Sequence, residues 1–157
     1  MVTPGVRLID KNEIPFLASF LAGIFIHNTF YIYIFSDQAT RESRLKWIFE
    51  KNLLLQNAEK NTWVMTSGDA GKITDVKDII ATLTFLPSTE RKSSVVDYIQ
   101  KGLLAMPIKF GFKAFSKLLK LNKLNEDGIS QIAANMPFWY LTMVGVGTEY
   151  RGKGIAQ

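Results

Sequence analysis

The chain has no cysteine and one histidine, His27. Without cysteine there is no disulfide, no thiolate zinc site and no cysteine nucleophile. A single histidine cannot build a two- or three-histidine metal site, so no metal is expected. It could serve as the base of a serine triad, but no G-x-S-x-G nucleophile elbow accompanies it. His27 reads as a helix-end side chain met by a neighbour or by water, with a substrate-side role as the alternative. Charge is missing from one long stretch: Ile14 to Phe35 holds no Asp, Glu, Lys or Arg, and is long enough to span a bilayer. Against a span stand the polar run His27-Asn28-Thr29 at its centre and Pro15 at its start. No basic-then-apolar signal peptide, repeat or low-complexity tract is visible, and these absences point to an intracellular, cytoplasmic protein.

What is present fits one domain. The 157 residues are 47% hydrophobic and 12% aromatic, enough for a sizeable core. A net charge of +5 favours anionic partners, among them phosphate-bearing ligands, nucleic acid and acidic lipids, without choosing between them.

In chain order, Val6-Arg7-Leu8-Ile9 reads as a strand. Asp10 and Glu13 stand at capping-box spacing, and Pro15 falls in the first turn of a helix with apolar positions Ile14, Leu17, Leu21, Ile24 and Phe25. Phe30 to Phe35 is almost wholly large and apolar, so its period cannot separate a buried strand from a buried helix segment. Asp37 caps a helix expected to run to about Lys60. Leu45, Ile48, Phe49, Asn52, Leu53 and Gln56 lie on one side of it, and Arg41, Arg44, Lys51 and Glu59 are expected in water. Strands follow at 62–66 and about 78–86, joined by a loop too long for a two-residue hairpin turn.

Residues 88–137 read as a long helical insertion before the last strand. It has capping-type spacing at Ser94 and Asp97, a break at Pro107 and Gly111, and a separate short helix beginning at Asn125. Lys109, Lys113, Lys117 and Lys120 recur every three or four residues among Phe110, Phe112, Phe115, Leu118 and Leu119. This basic amphipathic helix reads as a solvated face, with an acidic-lipid surface as the alternative. Nucleic acid is not expected, because no recognition motif accompanies the charge.

The chain closes on an apolar strand, Phe138 to Val146, and then Tyr150-Arg151-Gly152-Lys153-Gly154-Ile155-Ala156-Gln157. Glycines allow positive φ, so consecutive N–H groups can converge on a phosphate with Arg151 and Lys153 beside them. Arg151-x-x-Gly154-x-Ala156, preceded by Trp139-Tyr140-Leu141-x-x-Val144-Gly145-Val146, resembles the Arg/Gln-x-x-Gly-x-Gly/Ala signature and central strand of the GCN5-related N-acetyltransferases. That superfamily moves an acetyl group from acetyl-CoA to an amine. Thr148 departs from the proline usual at its position, and Ala156 takes the small-residue place usually held by glycine.

The resemblance implies the acyl-CoA N-acyltransferase fold, an α+β arrangement of a mixed, mostly antiparallel sheet covered by helices. It covers the whole chain in order but only about two thirds of a complete domain, so 1–157 is expected to be a single, incomplete domain. The backbone of Val144, Gly145 and Val146 would bind the pantetheine arm of acetyl-CoA, and the N–H groups of Arg151, Gly152, Lys153, Gly154, Ile155 and Ala156 its pyrophosphate. Phe30, Tyr31 and Tyr33 would approach the amine of a small-molecule or peptide acceptor, with ordinary aromatic core as the other reading. The family's tyrosine that protonates the departing thiolate would lie beyond Gln157. The catalytic residues therefore stay unassigned, and the chain is expected to be weakly active or inactive alone. An unfilled place beside the central strand would leave an exposed sheet edge, favouring self-association. The competing reading is a membrane-associated, non-enzymatic protein using residues 14–35 and the 109–120 lysine face.

Overall fold

A computed structural model describes residues 5–67, 71–89, 102–133 and 136–156. Part of the loop expected between the strands at 62–66 and 78–86, and the expected cap at Ser94 and Asp97, lie outside these residues. The described chain is α+β. Strands β1 (Gly5–Leu8), β2 (Thr62–Thr66), β3 (Ile79–Pro87) and β4 (Trp139–Val146) form one sheet in that spatial order, with all three pairings antiparallel. Helices α1 (Ile14–Phe25) and α3 (Gln38–Leu55) cover one face. Between them lies α2 (Thr29–Ile34), and α4 (Ala58–Asn61) leads into β2. Helices α5 (Met106–Phe110) and α6 (Phe112–Ala133) precede β4.

The capping spacing before α1 is realised: Glu13 accepts from the Asp10 N–H at 3.0 Å. Glu13 does more than cap. It is 1% exposed and takes two hydrogen bonds from the Arg7 guanidinium, at 2.8 and 2.7 Å, and a third from the Ile73 N–H at 2.6 Å. Four donors on one buried carboxylate tie β1, the start of α1 and the β2–β3 connection together.

The charge-free stretch 14–35 does not form one span-length helix. It breaks at 26–28 into α1, whose Leu17, Ala18 and Leu21 are core, and α2, which Asn28 caps by accepting from the Phe30 N–H. No helix among the described residues is long and apolar enough to cross a bilayer. The ambiguous segment Phe30–Phe35 is thus helical. Asn28 supplies the N-cap that apolar periodicity alone does not reveal.

Helix α3 stops at Leu55, short of Lys60, because Asn57 takes a left-handed conformation (φ 49°) and starts a new turn. Arg41, expected in water, is buried. Its Nε donates to the Phe35 carbonyl at 2.7 Å, Nη2 to Ser36 at 3.0 Å and Nη1 to Ile26 at 3.4 Å. Phe35 and Ile26 are the C-caps of α2 and α1, so the guanidinium meets carbonyls left open at two helix ends, where a cation is electrostatically favoured.

In the insertion, Pro107 sits in the first turn of α5 and breaks nothing, whereas Gly111 (φ +79°) does separate α5 from α6. No separate helix begins at Asn125: α6 runs through it without interruption.

The covered face of the sheet is rich in threonine. Thr62, Thr66, Thr82 and Thr84 are buried there, and the Thr62 and Thr84 hydroxyls pair at 2.9 Å. The opposite face carries Val6, Leu8, Trp63, Phe85, Leu141 and Val144, all exposed. Strand β4 is an edge of the sheet.

Candidate functional site

Strand β4 is placed by β3 on one side and by α1 beneath it. Gly145 faces Thr82 across the pairing. A Cβ there would lie 2.5 Å from Ile24 Cδ1, 3.3 Å from Thr82 Cγ2 and 3.4 Å from Leu21 Cδ2. Glycine at this position lets α1 approach the strand. The pairing with β3 slips between Thr84 and Phe85, which leaves Thr142 as an extra residue on β4. The Thr142 hydroxyl lies 3.3 Å from both the Thr84 carbonyl and Gln56 Oε1, and its proton goes to one of them. Such a bulge leaves a backbone group outside the ladder and re-aims the strand.

Beyond Val146 the Gly147 N–H donates to the Ile80 carbonyl, and a single 3₁₀ turn, Thr148–Tyr150, leads into the glycine loop. Gly152 (φ +74°) and Gly154 (φ +76°) both take the left-handed conformation that their spacing suggests. Among the described residues, the N–H groups of Gly152 through Ala156 donate no hydrogen bond to a backbone carbonyl. Arg151 Nε donates to the Val146 carbonyl at 3.2 Å, bracing the strand exit, and the Lys153 ammonium lies 5.3 Å from the centre of the Tyr150 ring. Residues Val146, Tyr150, Arg151, Gly152, Gly154, Ile155 and Ala156 enclose a concavity of about 290 Å³. Free N–H groups, two local cations and an open hollow suit an anion.

At the other end of β4, a cleft of about 350 Å³ opens between α2, α3 and α6, lined by Phe30, Tyr31, Asn52, Asn122, Asn125 and Tyr140 among others. The Tyr140 hydroxyl and the Asn125 amide lie 3.1 Å apart on its wall. A second hollow of about 410 Å³ adjoins it beneath α5 and α6; the two share Ile48, Asn52, Leu118 and Asn122. From Tyr140 to Val146 the strand rises about 20 Å.

Of the three aromatic residues expected on the acceptor side, the structure brings two together. Phe30 and Tyr31 line the cleft, with their rings edge to face at 5.1 Å. Burial among Phe25, Phe30 and Phe49 pushes the Tyr31 phenol up to about 12, so it keeps its proton at neutral pH and is no base. Tyr33 points elsewhere: the Lys117 ammonium sits 4.2 Å from its ring centre and donates to its carbonyl. His27 is exposed in the α1–α2 connection.

Asn52, Asn122, Asn125 and Tyr140 are the cleft residues that sequence reasoning did not assign. Asn52 was legible, with Gln56, as a polar side chain on the apolar side of the helix that Asp37 caps. The others depend on how α6 lies over α3, which periodicity does not fix.

A further hollow, about 590 Å³, lies on the open sheet face between Val6, Trp63, Phe85, Leu141 and Ile155. None of its lining side chains is ionisable, so it offers no acid, base or nucleophile. Among the described residues no group of three or more His, Asp or Glu side chains could hold a metal.

No protein-family model matches the chain, and no curated protein sequence matches it.

Proposed function

We propose that the chain carries the acetyl-CoA-binding part of an N-acetyltransferase of the GCN5-related type, with the acyl-CoA N-acyltransferase fold. The observation that carries this reading is the path of β4: a free sheet edge that leads into a loop with two left-handed glycines and unpaired N–H groups. In this reading the N–H groups from Gly152 through Ala156 receive the pyrophosphate, and Arg151, whose own N–H is turned to the Thr148 carbonyl, contributes its charge. The open edge at Val144, Gly145 and Val146 receives the pantetheine arm as a strand-like partner. The span of about 20 Å along β4 then brings the thioester toward Tyr140 and the cleft beneath α6.

When bound, acetyl-CoA supplies an activated acyl group for a neutral amine to attack. The chain's own residues have three tasks. On the open edge of β4, a main-chain N–H near the Thr142 bulge would donate to the acyl oxygen as charge builds on it. The neutral amides of Asn52, Asn122 and Asn125 are placed to orient the acceptor, and Phe30 and Tyr31 to exclude water from it. No side chain lining the cleft is a general base near neutral pH, and Glu149 lies at the loop end of β4, away from it. Residues 1–157 alone should therefore bind CoA better than they turn it over.

Thermal unfolding with CoA is the direct test. At a CoA concentration near one hundred times Kd, binding stabilises by about 2.7 kcal/mol, or about 5–10 °C in Tm for a chain of this size. Gly152→Val with Gly154→Val should abolish the shift. No shift at millimolar CoA, or an undiminished one in the double variant, would remove the proposal.

A further inference from the structure

We propose that the elbow between α5 and α6 is a docking surface for an anionic lipid bilayer. On α5 the inward side chain is Phe110, packed edge to face on Phe35 and Trp47 at 5.0 and 5.1 Å. Two residues back, Ile108 faces out and is 90% exposed. Gly111 turns the chain at positive φ, and α6 opens with Phe112, 80% exposed. Leu104 and Leu119 are also exposed. Bulky aliphatic and aromatic side chains left this bare on one elbow mark an interaction surface.

Along the elbow itself the sequence carries charge of one sign, and the first acidic residues, Glu126 and Asp127, come one turn beyond Lys123 on α6. From residue 98 to residue 125 the sequence holds six lysines and no Asp or Glu. Lys117 is turned inward to the Tyr33 carbonyl, while Lys109, Lys113, Lys120 and Lys123 are exposed. At 100° per residue, Phe112, Leu119 and Lys123 fall in one narrow sector of α6, with Lys120 beside them. The opposite sector holds Ala114, Leu118 and Leu121, which face the body of the protein. Apolar anchors within a lysine field match the acyl boundary and headgroups of an acidic leaflet. Ile108, Leu104 and Leu119 give nothing to a phosphodiester backbone, and Phe112 is the one anchor here that could stack on a base, so the surface favours lipid over nucleic acid. This inference does not depend on the acetyltransferase reading.

Co-sedimentation of the 157-residue chain with vesicles tests it, using phosphatidylcholine alone and phosphatidylcholine with phosphatidylglycerol at two to one. The chain should pellet with the mixed vesicles, far less with the neutral ones, and less again as salt rises. Ile108→Ser with Phe112→Ser should lower partitioning about tenfold or more per side chain. Lys113→Gln, Lys120→Gln and Lys123→Gln should each lower it about fivefold. All five positions are exposed, and circular dichroism checks that the fold persists. Four results would overturn the proposal: no binding to the mixed vesicles, equal binding to both kinds, binding untouched by the serine pair, or preference for a single-stranded oligonucleotide over the mixed vesicles.

Discussion

Two side chains decide more of the structure than their neighbours. Burial alone would raise the Glu13 carboxyl, but the Arg7 guanidinium and the N–H groups of Asp10 and Ile73 outweigh it and hold the group below its ordinary 4.5. A lowered folded-state value means stability that is present above about pH 4.5 and is lost as pH falls through the folded value. Asp37, held down by the Thr40 hydroxyl and the Ala39 N–H, and Asp78, by the N–H groups of Thr74 and Asp75, act with the same sign. Glu13→Gln should therefore cost about 1–3 kcal/mol at pH 7, because an amide cannot accept all four hydrogen bonds, although Arg7 keeps the Leu8 and Gly71 carbonyls. It should flatten, without abolishing, the loss of urea resistance below pH 4.5; an acid limb as steep as wild type would count against the assignment. Arg41 is the reverse case, a buried cation whose hydrogen bonds go to three carbonyls, with the Asp37 carboxylate acting on it at longer range. A lysine ammonium cannot reproduce that fork, so Arg41→Lys should cost about 1–3 kcal/mol in chemical denaturation. A change within 0.5 kcal/mol would show that the three hydrogen bonds are not what the position needs.

The order of elements was legible where local chemistry was strong: the Asp10–Glu13 spacing, the Asp37 cap, the strands around Val64 and Leu83, and the two glycines past β4. What was lost depended on tertiary context. The left-handed Asn57 that ends α3 has no period to announce it, and Asn125 looks like a cap although α6 continues through it. Arg41 falls on a side of α3 that looks solvent-facing until α2 folds back over it. In the candidate site, the loop was readable because glycine chemistry is local, whereas the cleft needed α6 laid over α3 to bring Asn122, Asn125 and Tyr140 to Tyr31. Gly145 marks where α1 and β4 meet. Gly145→Val would push branched methyl groups toward Ile24, Leu21 and Thr82 and should cost about 1–3 kcal/mol. Gly145→Ala should cost less, because the nearest atom is the mobile end of Ile24. Equal stability of the two variants would mean that α1 is not seated on the strand.

For the molecule as a whole, the sheet has its chemistry reversed. Helices α1 and α3 cover a face rich in threonine, while the opposite face, which no helix among the described residues covers, carries Val6, Trp63, Phe85, Leu141 and Val144, and β4 adds an edge with Trp139 71% exposed at its start. An apolar face of this extent is unstable in water on its own and seeks cover. Purified 1–157 should bind an apolar dye such as ANS and sediment as a concentration-dependent oligomer. Leu141→Lys with Val144→Lys places two charges on the bare face, where they cost little because both positions already meet solvent. The pair should reduce dye binding and shift the chain toward monomer while leaving thermal stability within about 1 kcal/mol. A wild-type chain that stays monomeric at high concentration and binds no dye would contradict this reading. Unchanged association in the lysine pair would move the contact away from this face to the α5–α6 elbow, where Ile108 and Phe112 are the exposed apolar side chains to substitute.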